Sequence, residues 1–193
     1  QGGYENFIYM MNEKAQELGC TNSNFVNPHG LHDDEHYTSA RDMALIGAEV
    51  FKNEDFRRIT KTLEYTIPVT NITNETRTFQ QHHRMLYDWR SQYYEFCEGG
   101  KTGYTDNALS TLVTFATKDN VNLVAVVLRT HGGGDKTYVD TRAMMEYGFS
   151  NFSKMPVTKD MVDAKGIKTL AKDAYVMLPE GISFADLKSE VQY

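Results

Sequence analysis

The sequence predicts an α+β fold in which helices pack on an antiparallel sheet, followed by the start of a small β-rich domain. Three observations predict this class. Helical periodicity occurs near both ends of the first domain, and two alternating apolar runs are joined by a tight turn. After Phe152 the composition changes, and the apolar residues lie among Lys and Asp. We therefore expect the first domain to span residues 1–153 and the start of the second domain to span residues 154–193.

Two helices are expected before the sheet. Residues 4–18 place apolar side chains at helical spacing, and Gly19 is suited to end this helix. Ser39, with Asp42 three residues later, has the pattern of a second helix start. We interpret Arg41 and Asp42 as an ion pair at that start. The expected inner face of the first helix consists of Phe7, Met11, Ala15 and Leu18.

The expected strands form hairpins. Residues 63–69 alternate apolar and polar side chains, and residues 76–79 are suited to return as the second arm. Residues 109–117 and 122–129 form a longer pair, joined by Asp119 and Asn120. Between the hairpins, three side chains are expected to contact the core: Met85, Leu86 and Trp89.

A further amphipathic helix is expected at residues 135–149, after the second hairpin. Its periodicity predicts an inner face made of Val139, Ala143, Tyr147 and, less squarely, Met144. After Phe152, a short strand is expected at residues 174–178.

Composition excludes several classes of function. The formal net charge is -6, and the basic residues form no stripe interleaved with aromatics, which argues against nucleic-acid binding. The longest aliphatic run, residues 123–128, is far too short to span a bilayer. Two cysteines, Cys20 and Cys97, are too few for a disulfide framework and match no zinc spacing, so we interpret them as buried apolar residues.

The most informative stretch is residues 98–106, Glu-Gly-Gly-Lys-Thr-Gly-Tyr-Thr-Asp, placed directly before an alternating run. Gly103 would leave a strand edge bare, so that a second backbone can approach closely. Lys101 and Thr102 would place a cation and a hydroxyl beside it. An extended peptide ending in a carboxylate is the ligand this arrangement favours. The same residues would also fit a turn with a solvated lysine.

A second candidate site is the cluster of His29, His32 and His36 among three acidic residues. Such a cluster could bind zinc and predicts, as an alternative, a metal-dependent hydrolase. Gly30 and the acidic pair at residues 33–34 argue against the regular helix that a ligand pair at i and i+4 needs. A solvated loop with one structural histidine is the simpler interpretation.

Four segments occur in an order that resembles a known family. They read Asn-Pro-His-Gly-Leu (27–31), Tyr-Thr-Ser-Ala-Arg-Asp-Met-Ala (37–44), Gly-Lys-Thr-Gly-Tyr-Thr (100–105) and Met-Glu-Tyr-Gly-Phe (145–149). Together they resemble the low-molecular-weight penicillin-binding proteins, which are serine-type D-alanyl-D-alanine carboxypeptidases. The resemblance implies a β-lactamase/transpeptidase-like first domain and a smaller β domain after it.

The family uses three motifs, Ser-x-x-Lys, Ser-x-Asn and Lys-Thr-Gly, and only the third occurs here, at residues 101–103. No serine in the chain has a lysine three residues later or an asparagine two residues later. The resemblance therefore implies an incomplete catalytic domain that starts after the first two motifs. Such a chain should be inactive alone.

The resemblance assigns roles to the residues that are present. Lys101 would supply positive charge beside the reacting centre, and the Tyr104 N–H would be one oxyanion donor. Thr102, helped by Thr105, would bind the terminal carboxylate, and Gly103 would admit the peptide. Upstream, the sequence departs from the family pattern, so His82 or Arg84 would face that carboxylate.

The resemblance also implies partners and a location. The substrate would be a peptidoglycan stem peptide ending in D-Ala-D-Ala, and β-lactam antibiotics would bind at the same site. No cofactor and no metal are expected. We expect an extracytoplasmic protein of the cell envelope, completed by its missing amino-terminal segment or by a second copy. A non-catalytic peptidoglycan-binding module is a further alternative.

Overall fold

The computed structural model describes residues 2–131, 133–163, 165 and 174–188. Its helices are α1 (Tyr4–Glu17), α2 (Ala40–Val50), α3 (Glu54–Lys61), α4 (Gly134–Asn151) and α5 (Lys159–Asp163). Its strands are β1 (Glu64–Ile67), β2 (Arg77–Gln80), β3 (Cys97–Thr105), β4 (Leu109–Lys118), β5 (Val121–Thr130), β6 (Phe152–Pro156) and β7 (Tyr175–Pro179). The predicted α+β class is confirmed, with every strand pair antiparallel in this part of the chain.

The central sheet has the order β3-β4-β5 among the described residues, so β3 is an edge strand. Asp119 and Asn120 take φ values of 50° and 63°, the left-handed pair that a tight β4–β5 turn requires. The predicted hairpin is therefore confirmed. A register shift between Cys97 and Gly99 marks a bulge at the start of β3, where the strand enters the edge of the sheet.

Helices cover both faces of this sheet. Gly47 of α2 lies against Val124, because a Cβ there would come within 2.8 Å of Val124 Cγ1. A Cβ at Gly148 of α4 would likewise come within 2.6 Å of Leu123 Cδ1. Leu123 and Val124 are consecutive strand residues and point to opposite faces, so α2 and α4 lie on opposite sides of β5. A buried hydrophobic cluster that includes Leu112 of β4 and Met145 of α4 lies on the α4 side.

Residues that begin and end the first two helices follow the predicted chemistry. Gly19 has φ 81°, and the Cys20 N–H donates to Ala15 O, which closes α1. Ser39 Oγ accepts from the Asp42 N–H at the start of α2. The buried Asp42 carboxylate lies 3.6 Å from Arg41 and also accepts from Asn22 N and Ser23 Oγ. The predicted Arg41–Asp42 ion pair is thus confirmed, and the Asp42 carboxylate also binds the segment after α1 to the start of α2.

The predicted inner face of α4 is wrong. Val139 and Tyr147 are 67% and 63% exposed, Met144 is also exposed, and so is Ala143. The buried side of α4 instead consists of Thr137, Tyr138, Thr141, Met145 and Gly148. Small and polar residues let this helix approach the sheet closely, and apolar periodicity does not detect such residues.

Two further core predictions are wrong, and several boundaries differ. Phe7 of α1 and Trp89 are exposed, although Met85 is fully buried as predicted. In the hairpin predicted at residues 63–69 and 76–79, the first arm is shorter, Glu64–Ile67, and the second is shifted to Arg77–Gln80. The strand predicted at residues 174–178 is β7, which pairs with β6. Much of the predicted second domain, residues 166–173 and 189–193, lies outside the described residues, so its extent remains a prediction.

Candidate active site

A groove lies along the exposed edge of β3. It has a volume of about 630 Å³ and lies between that edge, the end of α3 and the β1–β2 hairpin. From the edge strand it is lined by Gly100, Lys101 and Thr102, and from the segment after β2 by His82. The structure therefore brings three of the predicted site residues, Lys101, Thr102 and His82, together around one space.

Lys101 and Thr102 are consecutive on the edge, so their side chains leave opposite faces of the sheet. Lys101 is exposed, and its Nζ donates to the Thr102 carbonyl oxygen at 2.6 Å. Thr102 is half-buried opposite Leu112 of β4. Alternate residues of an edge strand direct their N–H and C=O groups away from the sheet. A cation, a hydroxyl and outward-facing backbone groups thus lie along one edge, where the Thr102 carbonyl oxygen already accepts from Lys101 Nζ.

Gly103 and Thr105 have local partners. A Cβ at Gly103 would lie 2.5 Å from Thr111 Oγ1 of β4. The neighbouring strand therefore disfavours any side chain at this position, whether or not a ligand is bound. Thr105 Oγ1 accepts from the Ala108 N–H and shapes the β3–β4 turn. Tyr104 is 67% exposed, so its side chain contributes little to the sheet.

Arg84 is placed differently from His82. Its guanidinium pairs with Asp135 of α4 at 2.5 Å and lies over the ring of Tyr138. Arg84 also lines an adjacent pocket of about 450 Å³, which includes His82 and Trp89 but not Lys101 or Thr102. Of the two upstream candidates, His82 is the one that faces the groove along β3.

The histidines of the loop at residues 29–36 make structural contacts. The Nδ1 atoms of His36 and His29 accept backbone N–H groups from Val26 and Leu31, so these nitrogens are already occupied. Burial lowers the pKa of His36. His32 Nε2 contacts Asn107 at 3.1 Å, which ties the loop to the β3–β4 turn. Among the described residues, no group of three or more His, Cys, Asp or Glu side chains is arranged to hold a metal ion.

One residue beside the groove carried no signal in the sequence. His83 is completely buried, and its Nε2 shares a 2.8 Å hydrogen bond with Thr114 Oγ1 of β4. Burial lowers the pKa of His83 to about 4, so its imidazole is neutral at physiological pH. Nothing in the local sequence separates it from its exposed neighbour His82.

Solved structures of known proteins resemble this fold. The DD-transpeptidase of Streptomyces K15 superimposes with a TM-score of 0.67 at 29% identity, covering 76% of this chain and 55% of that one. A D-alanyl-D-alanine carboxypeptidase from Mycobacterium tuberculosis gives a TM-score of 0.65 at 28% identity, covering 77% of this chain and 55% of that one. The fold is therefore that of the DD-peptidases.

Sequence comparison identifies the family. The profile of D-alanyl-D-alanine carboxypeptidase matches residues 1–132. The carboxypeptidase DacA of Escherichia coli is 30% identical over 97% of this chain and 46% of its own length. DacF of Bacillus subtilis is 29% identical over 99% of this chain and 50% of its own length. The chain belongs to the D-alanyl-D-alanine carboxypeptidase family and spans about half the length of these relatives.

Proposed function

We propose that this chain forms the Lys-Thr-Gly wall of a D-Ala-D-Ala carboxypeptidase, with the nucleophilic serine and its lysine base outside these 193 residues. The observation that carries the proposal is the open β3 edge, where Lys101 and Thr102 line one groove. An extended peptide can add to such an edge as a further strand, with its backbone hydrogen-bonded to β3.

The reaction is acyl transfer to serine. The serine attacks the carbonyl between the two D-alanines, the terminal D-alanine leaves, and water then releases the shortened peptide. Lys101 stabilises negative charge beside the reacting centre. The backbone N–H of Tyr104 serves as one oxyanion donor, a type of contact that contributes about 3 kcal/mol in other enzymes.

Recognition of the terminal carboxylate falls to the groove side of the edge. The Thr102 hydroxyl binds the carboxylate, and Thr105 assists from the end of β3. His82 supplies a further contact, because it lines the groove together with Thr102. Arg84 takes a supporting role, since its guanidinium is already paired with Asp135. Gly103 keeps the edge free of a side chain.

Partners and location follow from this proposed activity. The substrate is the stem peptide of peptidoglycan, and β-lactams react with the same serine as mimics of its D-Ala-D-Ala end. An enzyme with this substrate acts outside the cytoplasm, in the cell envelope. No helix among the described residues is long and apolar enough to cross a membrane.

Two alternatives have less support. A metal-dependent hydrolase with His29, His32 and His36 as ligands is not supported, because the Nδ1 atoms of two of these rings accept hydrogen bonds from backbone N–H groups. A non-catalytic peptidoglycan-binding module would retain the groove, but the matched family profile and the relatives are those of carboxypeptidases.

Fluorescent penicillin tests the proposed function directly. We expect the 193-residue chain to remain unlabelled on a denaturing gel, because it lacks Ser-x-x-Lys and Ser-x-Asn. The gene product that carries this chain should be labelled, and excess unlabelled penicillin should abolish the band. A labelled band at the mass of this chain would contradict the assignment of the nucleophile. An unlabelled but folded gene product would contradict the function.

We further expect the isolated chain to associate in solution. Tyr4, Phe7, Tyr9 and Met10 of α1 are all more than half exposed. An apolar pocket of about 250 Å³ also lies along β5 and is lined by Ala44 of α2 and Met145 of α4. Open apolar surface of this kind favours pairing with a second copy or with a completing segment. Light scattering should give a mass above that of the monomer, and a monodisperse monomer at high concentration would oppose the prediction.

A further inference from the structure

A buried imidazole lies directly beneath the start of the proposed catalytic strand. Gly100 precedes Lys101 and has φ 152°, and a Cβ there would lie 2.8 Å from His83 Cδ2 and 2.9 Å from His83 Nε2. The same Cβ would lie 2.1 Å from the Val113 carbonyl oxygen. The backbone of Gly100 is therefore held between the His83 ring and strand β4, and only glycine permits this contact.

The segment that carries His83 is fastened to two helices. Gln81 Nε2 donates to Thr60 O at the end of α3, at 2.6 Å, while Gln81 Oε1 accepts from the His83 N–H at 3.1 Å. On the other side, the Tyr138 hydroxyl of α4 donates to His82 O and accepts from Arg84 N. Backbone groups on both sides of His83 thus have fixed partners, and the ring position is determined from both directions.

We propose that His83 is a positioning residue for the Lys-Thr-Gly edge. Through its contact with Gly100 and its hydrogen bond to Thr114, it sets the backbone path on which Lys101 and Thr102 reach the groove. His83 itself lies below the strand and does not touch the substrate. The expected effect of His83 on catalysis rests on the proposed function. Its expected effect on the backbone of residues 100–102 does not.

The chemistry of the contact favours this role over simple filling of the core. An apolar side chain could occupy the same volume, whereas two polar groups without solvent exposure are costly unless they bond to each other. The 2.8 Å bond from His83 Nε2 to Thr114 Oγ1 meets that requirement for these two atoms and orients the ring, whereas His83 Nδ1 has no hydrogen-bond partner among the described residues. The orientation of the ring matters because its Cδ2–Nε2 edge faces Gly100.

Thr114→Val tests the bond with little change of shape, and the chain offers a matched control. Thr141 of α4 is as buried as Thr114, but its hydroxyl has no partner among the described residues. In the gene product, Thr114→Val should lower kcat for D-alanine release about tenfold, with KM much less affected, because misplaced catalytic groups reduce transition-state stabilisation. Thr141→Val should retain the wild-type kcat, and Thr114→Ser, which keeps the hydroxyl, should retain most of it.

A substitution series at His83 separates positioning from packing. His83→Gln can keep a nitrogen within reach of Thr114 and should retain more activity than His83→Leu, which fills the space without a hydrogen bond. If His83→Leu and Thr114→Val lower the melting temperature but leave kcat unchanged, His83 is a core residue only and the proposal fails.

Amide hydrogen exchange gives a readout that needs no nucleophile. In the 193-residue chain, Thr114→Val should increase exchange at residues 100–102, while Thr141→Val should not. Equal exchange in both variants would overturn the positioning role, even if the wild-type gene product is active. A gene product that releases no D-alanine would instead contradict the proposed function, and the exchange comparison would still decide the role of His83.

Discussion

Lys101→Ala and Thr102→Val should each lower D-alanine release by roughly ten- to a hundredfold in the gene product that carries this chain. Lys101→Ala removes the positive charge on the exposed β3 edge. Thr102→Val keeps the shape and strand preference of the residue but removes its hydroxyl. One hydrogen bond to a charged group contributes about 1.5–3 kcal/mol, which sets the expected loss for Thr102.

Both variants should remain folded. Lys101 is exposed and Thr102 is half-buried, and substitutions at such positions usually change the free energy of unfolding by less than about 0.5 kcal/mol. Lys136→Ala, which removes an exposed lysine from α4 away from the groove, is the matched control and should retain full activity. D-alanine release and thermal melting should be measured on the same samples.

Specific outcomes would contradict these assignments. Full activity in Thr102→Val would remove this residue from the carboxylate site. Loss of folding in both variants would mean that the Lys-Thr-Gly stretch serves the sheet. A loss of activity in Lys136→Ala as large as in Lys101→Ala would indicate a general effect of net charge.

Acid should destabilise the chain well above the pH at which carboxylates titrate, and His83 is the main cause. Burial lowers its pKa from 6.5 to about 4, while the unfolded chain keeps the ordinary value. Between these values the unfolded state binds more protons, so the free energy of unfolding decreases as the pH falls. The stabilising contribution is complete above pH 6.5 and is lost as the pH approaches 4, and it amounts to about 3 kcal/mol.

Other titrating groups can be separated from His83. The pKa of His36 is also lowered by burial, so its contribution also decreases as the pH falls below 6.5, and substitution at His83 separates the two. Burial alone would raise the pKa of Asp42, but hydrogen bonds from Asn22 and Ser23 lower it overall. The contribution of Asp42 is therefore lost only at more acidic pH, below its ordinary value of 3.8.

Urea unfolding at several pH values measures this effect. Between pH 7 and pH 4, the loss of unfolding free energy should be smaller by about 3 kcal/mol in His83→Gln than in the wild type. Thr141→Val, which changes a buried side chain that does not titrate, is the control and should keep the wild-type slope. Identical slopes in His83→Gln and the wild type would show that His83 does not titrate as a buried neutral imidazole.

Local chemistry made much of the sheet predictable. The Asp119–Asn120 pair, the left-handed Gly19 and the Ser39 helix start each depend on one or two residues with special backbone or capping preferences. Alternation located the long β4–β5 hairpin because most of its inward residues are buried apolar side chains. Such features need no knowledge of the distant parts of the chain.

The inner face of α4 and the environment of His83 could not be predicted in this way. Helix α4 packs through Thr141 and Gly148, whose small size allows close approach but adds little to an apolar pattern. His83 is buried only because Gly100, Thr114 and Tyr138, all distant in sequence, converge on it. Tertiary contacts of this kind decide which of two adjacent histidines faces the groove.

The most direct test of the proposed function is D-alanine release from a peptide ending in D-Ala-D-Ala, with and without benzylpenicillin, by the gene product that carries this chain. We predict release that penicillin abolishes and that Lys101→Ala lowers at least tenfold. A folded gene product that releases no D-alanine, or releases it equally well after Lys101→Ala, would contradict the assignment of the β3 edge as the substrate-binding wall.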